Sequence, residues 1–368
     1  MHQTLALAAQ AVGLSDPNPR VGCLLISAQG ELLGQGHTQA AGQAHAEVMA
    51  LRDAAGRGHD VRGAVAYVSL EPCAHHGRTP PCCDALIAAG VSRVVAALED
   101  PNPLVAGQGL ARLRTAGIAT EVGLLADEAR ELNIGFFSRM QRLRPFVRMK
   151  AAASLDGRTA LLNGRSQWIT AEAARQDGHA WRKRAGALLT GIGTVRDDDP
   201  RLDVRLVHTE HQPLRVLIDS HLEVANSARL LQPPGQVLIY HGGSAGPVTA
   251  QALCDLGVEL KSLPDARGKV DLVAMLSDLA QRGINELHIE AGHRLNASLL
   301  RAGLVDELLL YVAPKLIGEG AGIASLGPFE SLEQALQWRW LDAEMVGNDL
   351  RLRLRKLDAV ANPSDSSL

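Results

Sequence analysis

A metal-ligand pattern divided between two stretches of the first quarter constrains this chain more than any other feature. His45-Ala46-Glu47 lies upstream of Glu71-Pro72-Cys73, and Cys82 follows an eight-residue loop, 74–81. One imidazole and two thiolates make a three-ligand zinc set and leave the fourth tetrahedral position open to water. The two thiolates cancel the charge of the metal. Glu47 is poorly suited to be a fourth ligand and well suited to move protons. A carboxylate beside a metal-bound water takes its proton and hands it on.

His-x-Glu followed by Pro-Cys and a second Cys is similar to the pattern of zinc-dependent base deaminases. That pattern places two residues between its cysteines, and this chain places eight. Both thiolates still reach one metal if the insertion is a surface loop and Cys82 opens a helix. Pro80-Pro81 suits a helix start, and 83–90 reads as helix ending at Gly90. A thiolate in a first turn is favoured by the helix dipole and the free N–H groups. His45 and Glu47, two apart, point away from each other on an ideal helix. They converge only if His45 stands at the start of the helix through Val48, Leu51 and Ala55. The competing readings are a closed structural zinc site, with Cys83 or His75 as fourth ligand, and no metal at all. Glu47 argues against a structural site, which has no use for it.

At 368 residues the chain has room for two domains of roughly 150 residues. Its net charge is −3 and aromatics are 3%, which offers neither a basic groove nor a stacking platform for nucleic acid. No apolar run is long enough to span a bilayer. No cationic segment precedes the short apolar stretch near Met1, so no secretory signal is expected. Four of the five cysteines lie within residues 23–83. This favours a metal site in a reduced, cytoplasmic protein over a disulfide framework.

The first half alternates helix and strand. Helices are expected at Leu5–Val12, 45–57, from Cys82 onward and at Gly109–Ala116. Strands are expected at Val21–Ile26, with a hairpin into Glu31–Gly36, and at Ala64–Leu70, Val91–Leu98 and Ile118–Val122. The result is an α/β layered domain with ligands at helix N-termini above the strand ends. The basic stretch Arg139–Pro145 breaks the pattern and sets a boundary. The domains are thus 1–144 and 145–358, the second strand-rich and α/β, with a polar tail at 359–368 expected to be disordered. Asp-Pro-Asn-Pro occurs at 16–19 and 100–103, in neighbourhoods too different for a duplication.

Over nearly its whole length the chain resembles the bifunctional riboflavin-biosynthesis deaminase–reductases. In the first half the resemblance rests on Pro17-Asn18-Pro19-Arg20-Val21-Gly22, His45-Ala46-Glu47-Val48 and the run from Glu71 to Cys82. Asp100-Pro101-Asn102-Pro103 with Gly107-x-Gly109 adds to it. In the second half it rests on Ser154-Leu155-Asp156-Gly157-Arg158, Ser166-Gln167-Trp168-Ile169-Thr170 and Gly193-Thr194-Val195. Asp198-Asp199-Pro200-Arg201-Leu202, Ile218-Asp219-Ser220 and Glu290-Ala291-Gly292 continue it. The eight-residue cysteine loop is this family's own form. The resemblance implies a cytidine-deaminase-like three-layer domain with one zinc, followed by a dihydrofolate-reductase-like α/β domain that uses NADPH. From the residues alone, the strand Leu287–Glu290, the turn Ala291-Gly292 and the following helix form an ordinary strand-to-helix connection that could also receive a pyrophosphate. Tyr240-His241-Gly242-Gly243 is a competing turn.

Carried over by position, His45, Cys73 and Cys82 match the zinc ligands and Glu47 the proton shuttle. Ala152, Trp168, Thr194, Asp198, Ser220 and the segment Gly292, His293, Arg294, Leu295, Asn296, Ala297 and Ser298 match dinucleotide-binding positions. His293-Arg294 departs there from the small or apolar residues of the pattern. Ser166, Arg182, Leu202, Arg205 and Glu290 match positions that bind the reductase substrate. Guanidinium forks suit a sugar phosphate; surface ion pairing is the other use for Arg182 and Arg205. The implied substrate is a small pyrimidine ribosyl phosphate, first deaminated at C2 and then reduced at C1′ of its ribose. Asn18 and the carbonyl of Ala46 or Leu70 are candidates to orient the pyrimidine, and His76 and Arg78 to meet its phosphate. Lys150, Asp156 and Glu290 are candidate acids for the reduction. A homo-oligomer is allowed; nucleic-acid and membrane partners are not expected. The alternative is a nucleic-acid base deaminase with an accessory binding domain, which the mild acidity opposes.

Overall fold

The computed structural model describes residues 1–75, 80–103, 105–243 and 246–357. The expectations placed on His76, Arg78 and the 359–368 tail lie outside the described residues. Two compact units are present: Met1–Pro145 with Leu279–Asn285, and Phe146–Asp278 with Glu286–Leu368. The first therefore includes a short segment from far along the chain, which the linear division into 1–144 and 145–358 does not contain.

The first unit runs α1 (His2–Ala9), β1 (Gly22–Ile26), β2 (Leu32–His37), α2 (Ala46–Gly56), β3 (Val65–Val68), α3 (Cys82–Ala88), β4 (Arg93–Ala96), α4 (Gln108–Thr115), β5 (Ala119–Val122), α5 (Ala126–Leu132) and α6 (Ile134–Arg142). Its sheet has the order β2-β1-β3-β4-β5. β1 is antiparallel to both neighbours, and β3, β4 and β5 are parallel. Ala46, Ala50 and Ala54 repeat every four residues on α2, so they share one face, and all are fully buried. They meet Gly34 and Gly36 of β2, where a Cβ would strike Ala50 and Ala54 or Met49 and Ala50. Small residues on both sides bring α2 close to the sheet, and this fixes the height of its N-terminus.

Two expectations shift. The first helix ends at Ala9 and turns follow, in place of Leu5–Val12. The basic stretch from Arg139 does not break the pattern at once: Arg139 and Arg142 occupy the last turn of α6, which stops at Leu143 in a left-handed conformation (φ 55°), just before the division at Pro145. Cations in a last turn complement the helix dipole, so the basic residues mark a helix end. The α5–α6 pair was not foreseen.

The second unit contains β6 (Phe146–Ser154), β7 (Arg158–Leu161), α7 (Glu172–Arg184), β8 (Ala187–Gly191), α8 (Ile192–Asp198), β9 (Leu214–Ile218), β10 (Val237–His241), α9 (Pro247–Asp255) and β11 (Glu259–Ser262). It continues through α10 (Leu272–Gln281), whose last residues group with the first unit, β12 (Glu286–Ile289), α11 (His293–Arg301), β13 (Glu307–Ala313), β14 (Gly320–Gly322), β15 (Trp338–Val346) and β16 (Asp349–Lys356). Among the described residues the main sheet has nine strands, ordered β11-β10-β9-β8-β12-β6-β13-β16-β15. The run from β11 to β13 is parallel, and the β15–β16 hairpin closes one edge antiparallel. Buried charges in the sheet are paired or spent on backbone carbonyls, as Arg215 is on those of Gln232 and Gly235. Arg148 on β6, 1% exposed, bonds Glu286 of β12 at 2.8 Å and Glu307 of β13 at 2.5 Å. In a parallel sheet of this kind ligands collect beyond the carboxyl ends of the strands, here the ends of β6, β8 and β12.

Candidate functional site

α2 starts at Ala46, so His45 is its N-cap residue, in extended conformation (φ −78°, ψ 168°), and Glu47 falls in the first turn. That break in helical geometry turns His45 and Glu47 toward the same space. α3 starts at Cys82, directly after Pro81. His45 Nδ1 lies 3.6 Å from Cys73 Sγ and 3.2 Å from Cys82 Sγ. All three ligand atoms fall within 4.8 Å of one another. Tetrahedral zinc with ordinary Zn–N and Zn–S bonds spaces its donors by roughly 3.5–3.8 Å, so these residues fit the metal. The Cys82 amide donates to Cys73 Sγ at 3.3 Å, the help a helix start gives a thiolate. Hydrogen bonds from Cys82 and His45 pull the Cys73 thiol well below its ordinary value, while donating that bond holds Cys82 up. A bound cation removes the proton they share.

Cys83 is not part of the set. Its Sγ donates to the Pro72 carbonyl at 3.1 Å, and burial pushes its thiol up to about 12. Glu47 is 3% exposed. Burial, reinforced by Cys73, pushes its carboxyl up to about 7, and His45 opposes the rise. A dication alongside pulls it back toward the charged form. The 370 Å³ cavity over this group is lined by His45, Glu47 and Cys73 together with Asn18, Leu70 and Asp100. Ala46 does not line it. Burial also pushes Asp100 up to about 7.

The sequence showed Glu71 only as part of a motif, and the structure shows its work. Its carboxylate accepts four backbone N–H groups: Asp100 at 3.0 Å, Gly107 at 2.9 Å, Gly109 at 2.8 Å and Leu110 at 3.1 Å. It thereby ties the Pro72-Cys73 turn to the 100–110 loop. An acidic residue directly before Pro-Cys, paired with Gly107-x-Gly109 downstream, was the available signal.

The second unit holds a 730 Å³ cavity at the ends of β6, β8 and β12. Ala152, Trp168, Thr194, Asp198, Gly292, His293 and Asn296 line it, as do Ser166, Arg182, Leu202, Arg205 and Glu290. Ser220, Arg294, Leu295, Ala297 and Ser298 do not. Gly292 is the N-cap of α11, so only residues at its first turn face the cavity. Ala297 is fully buried, Leu295 packs on Gly191, and the Ser298 hydroxyl donates to the Arg294 carbonyl. Ser220 gives its carbonyl to the Gly242 amide at 2.9 Å. The competing turn at Gly242 is packed shut, since a Cβ there would strike the Gly268 carbonyl.

Arg182 and Glu290 form a two-point pair, 2.5 Å and 2.8 Å. Ion pairing of this arginine is therefore real, but inside the cavity and not on the surface. Burial alone would raise Glu290, yet Arg182 and Lys150 hold it well below its ordinary value. The Lys150 ammonium is 3.8 Å from it, and fully buried His288 is 3.3 Å away. Ser166 donates to Asp198 at 2.7 Å, joining the two groups of lining residues. Asp156 does not line the cavity. It accepts from Ser154, Ile317 and Gly318, and these bonds, that from Ser154 first, hold it at about 2.

A three-donor zinc set with a buried carboxylate beside it in one α/β unit, and a lined cavity in a second, suit a metal-dependent hydrolase domain joined to a second ligand-binding domain. Residues 1–98 match the cytidine and deoxycytidylate deaminase zinc-binding region, and residues 145–352 match the RibD C-terminal domain. The chain belongs to the RibD family of riboflavin-biosynthesis proteins. It is 44% identical to riboflavin biosynthesis protein RibD of Escherichia coli K12, over 96% of this chain and 98% of the relative. The same protein of Aquifex aeolicus is 42% identical over 95% and 96%. Acinetobacter baumannii RibD superposes with a TM-score of 0.87 at 42% identity, covering 97% and 98%. A Thermotoga maritima protein described as a diaminohydroxyphosphoribosylaminopyrimidine deaminase/5-amino-6-(5-phosphoribosylamino)uracil reductase superposes at 0.86 and 30% identity, covering 97% of each. Among the described residues no helix is long and apolar enough to cross a membrane.

Proposed function

We propose that this chain performs both reactions named for its Thermotoga relative, deamination in the first unit and reduction in the second. The observation that carries this reading is the cluster of His45, Cys73 and Cys82 beside a cavity that His45, Cys73 and Glu47 line. A separate cavity built around Arg182 and Glu290 supports the second half of it.

In the deaminase, His45, Cys73 and Cys82 would hold a zinc ion, which when bound would acidify a water for attack on C2 of 2,5-diamino-6-(5-phosphoribosylamino)pyrimidin-4(3H)-one. The Glu47 carboxylate takes a proton from that water and delivers it to the departing 2-amino nitrogen, which leaves as ammonia. Asn18 and the Leu70 carbonyl orient the ring. Glu71 touches no reacting atom and acts by fixing Cys73.

In the reductase, the 730 Å³ cavity would hold NADPH, which when bound would supply hydride for C1′ of 5-amino-6-(5-phosphoribosylamino)uracil. Gly292 and the first turn of α11 meet the pyrophosphate, where free N–H groups and the dipole favour an anion. Thr194, Asp198 and Trp168 complete the dinucleotide side; Arg182 and Arg205 face the substrate. As the ribose opens, its ring oxygen needs a proton. Asp156 is held ionised and lies outside the cavity, and Glu290 is locked by Arg182. Lys150, which lines the cavity, is the proton donor. The product carries a ribityl chain.

The setting is cytoplasmic and the assembly a homo-oligomer. β15 supports the latter, as an edge strand with Trp340 and Met345 about two-thirds exposed (64% and 66%). The deciding experiment incubates the protein with the diaminopyrimidine phosphate, with and without NADPH, following ammonia and NADPH absorbance. Ammonia should appear without NADPH, and NADPH oxidation should follow deamination. Oxidation with no ammonia, or neither signal from zinc-loaded protein, overturns the reading.

A further inference from the structure

In the irregular segment after Asp199, Leu202 takes a left-handed conformation (φ 50°), and Arg201 and Arg205 both close on Asp203. Asp203 is 1% exposed, and its carboxylate takes both neighbours: Arg201 Nε at 3.0 Å on one oxygen and Arg205 on the other. A third guanidinium, that of Arg182, donates to the Asp203 main-chain carbonyl at 2.9 Å. His179, itself buried, accepts the Arg205 amide at 3.2 Å. Arg182, Arg201 and Arg205 all line the 730 Å³ cavity.

The charges do not cancel. Glu290 matches Arg182, and a single carboxylate at Asp203 faces two guanidiniums. One positive charge is left over where Arg201 and Arg205, 41% and 43% exposed, present their remaining N–H groups. Two forks held by one buried carboxylate lose little freedom on binding, and planar forks suit phosphate oxygens. Burial would by itself raise Asp203, but Arg205, Arg201 and Arg182 keep it below its ordinary value, so the clamp stays charged.

We infer that Asp203 is a positioning residue for the phosphate of the reductase substrate, aligning Arg201 and Arg205 as a paired anion site in which Arg201 is a second ligand. This rests on the reading above that Arg205 faces the reductase substrate, whose phosphate suits a guanidinium fork.

The test compares 5-amino-6-(5-phosphoribosylamino)uracil with its dephosphorylated ribosyl form in zinc-loaded, full-length enzyme at saturating NADPH. Asp203→Asn keeps the shape and removes the charge. It should raise KM for the phosphorylated compound about tenfold, the scale of one charge-assisted hydrogen bond, with kcat changed by no more than about twofold. Its effect on kcat/KM for the dephosphorylated compound should stay within about twofold. Arg201→Gln should reproduce that selectivity, and Asp203→Glu should recover part of the lost affinity. Equal losses on both compounds would show a merely structural role for Asp203, and a raised KM for NADPH in place of substrate would assign Arg201 to the dinucleotide. Either result, or no change at all, overturns the inference. Arg205→Ala is the separate control: if it fails to discriminate the two compounds, the underlying placement of the phosphate is wrong. If only Asp203→Asn and Arg201→Gln fail, the clamp alone is withdrawn.

Discussion

Glu71 and Gly109 are locked together from two directions. The Glu71 carboxylate accepts the Gly109 amide at 2.8 Å, while a Cβ at Gly109 would strike the carbonyl of Pro72, the residue between Glu71 and the ligand Cys73. In Glu71→Gln an amide NH₂ replaces one oxygen, stranding the two backbone N–H groups it served, at about 1–3 kcal/mol each. The first unit should then unfold at lower urea. All four tryptophans are at 168, 181, 338 and 340, in the second unit. The urea midpoint for ammonia release should drop while the tryptophan fluorescence transition stays put; a parallel drop in both would count against this role.

Zinc content separates ligands from bystanders. Cys73→Ser and Cys82→Ser should lose the metal and deamination, and Cys83→Ser should keep both, because its thiol is spent on the Pro72 carbonyl. Metal analysis should find about one zinc per chain in the parent, from a single three-donor set. Chelation should abolish ammonia release and spare NADPH oxidation with the aminouracil.

Glu47→Gln preserves shape and leaves the three donors intact. Zinc should remain bound while deamination falls by roughly two to four orders of magnitude, the scale of losing a general acid–base. Near-normal ammonia release would refute the shuttle.

Stability of the second unit should weaken in mild acid. Burial first, then Arg182 and Arg205, hold His179 at about 4, and burial lowers His288 as well. An unfolded histidine titrates near roughly 6.5. Between that value and about 4 the unfolded chain binds protons that the folded chain refuses, so stability falls as pH falls. His179→Gln should flatten the loss between pH 7 and 5, read as the urea midpoint of tryptophan fluorescence. An unchanged slope would mean His179 is already charged in the folded state.

A fragment spanning Met1–Pro145 should bind zinc but melt below the same unit in the full chain. It lacks Leu279–Asn285. Within that unit Asn285 donates to Asp16 at 2.7 Å and to the Pro17 carbonyl at 3.1 Å, and accepts from Arg139 at 2.7 Å. Equal melting temperatures would show that these bonds add nothing.

The metal chemistry was legible from residue types, because only a few side chains bind zinc and their identity needs no coordinates. His45, Cys73, Cys82 and Glu47 were readable, as was the need for His45 to stand just before a helix. In the first unit, α5 and α6 apart, strand and helix positions followed from hydrophobic period to within a few residues. The stretch from Arg139 was read as a break in the pattern, and its first residues are the end of α6, because basic residues suit a solvated loop and a helix C-terminus equally well. Position-by-position matching could not say which residues after Gly292 face the cavity; helix geometry decided that, sending Ala297 into the core and Leu295 onto Gly191. The work of Glu71, the exclusion of Cys83, the Asp203 clamp and the recruitment of Leu279–Asn285 were decided only by tertiary structure. Each depends on which backbone groups and charges lie near a buried side chain, and sequence records the side chain without its surroundings.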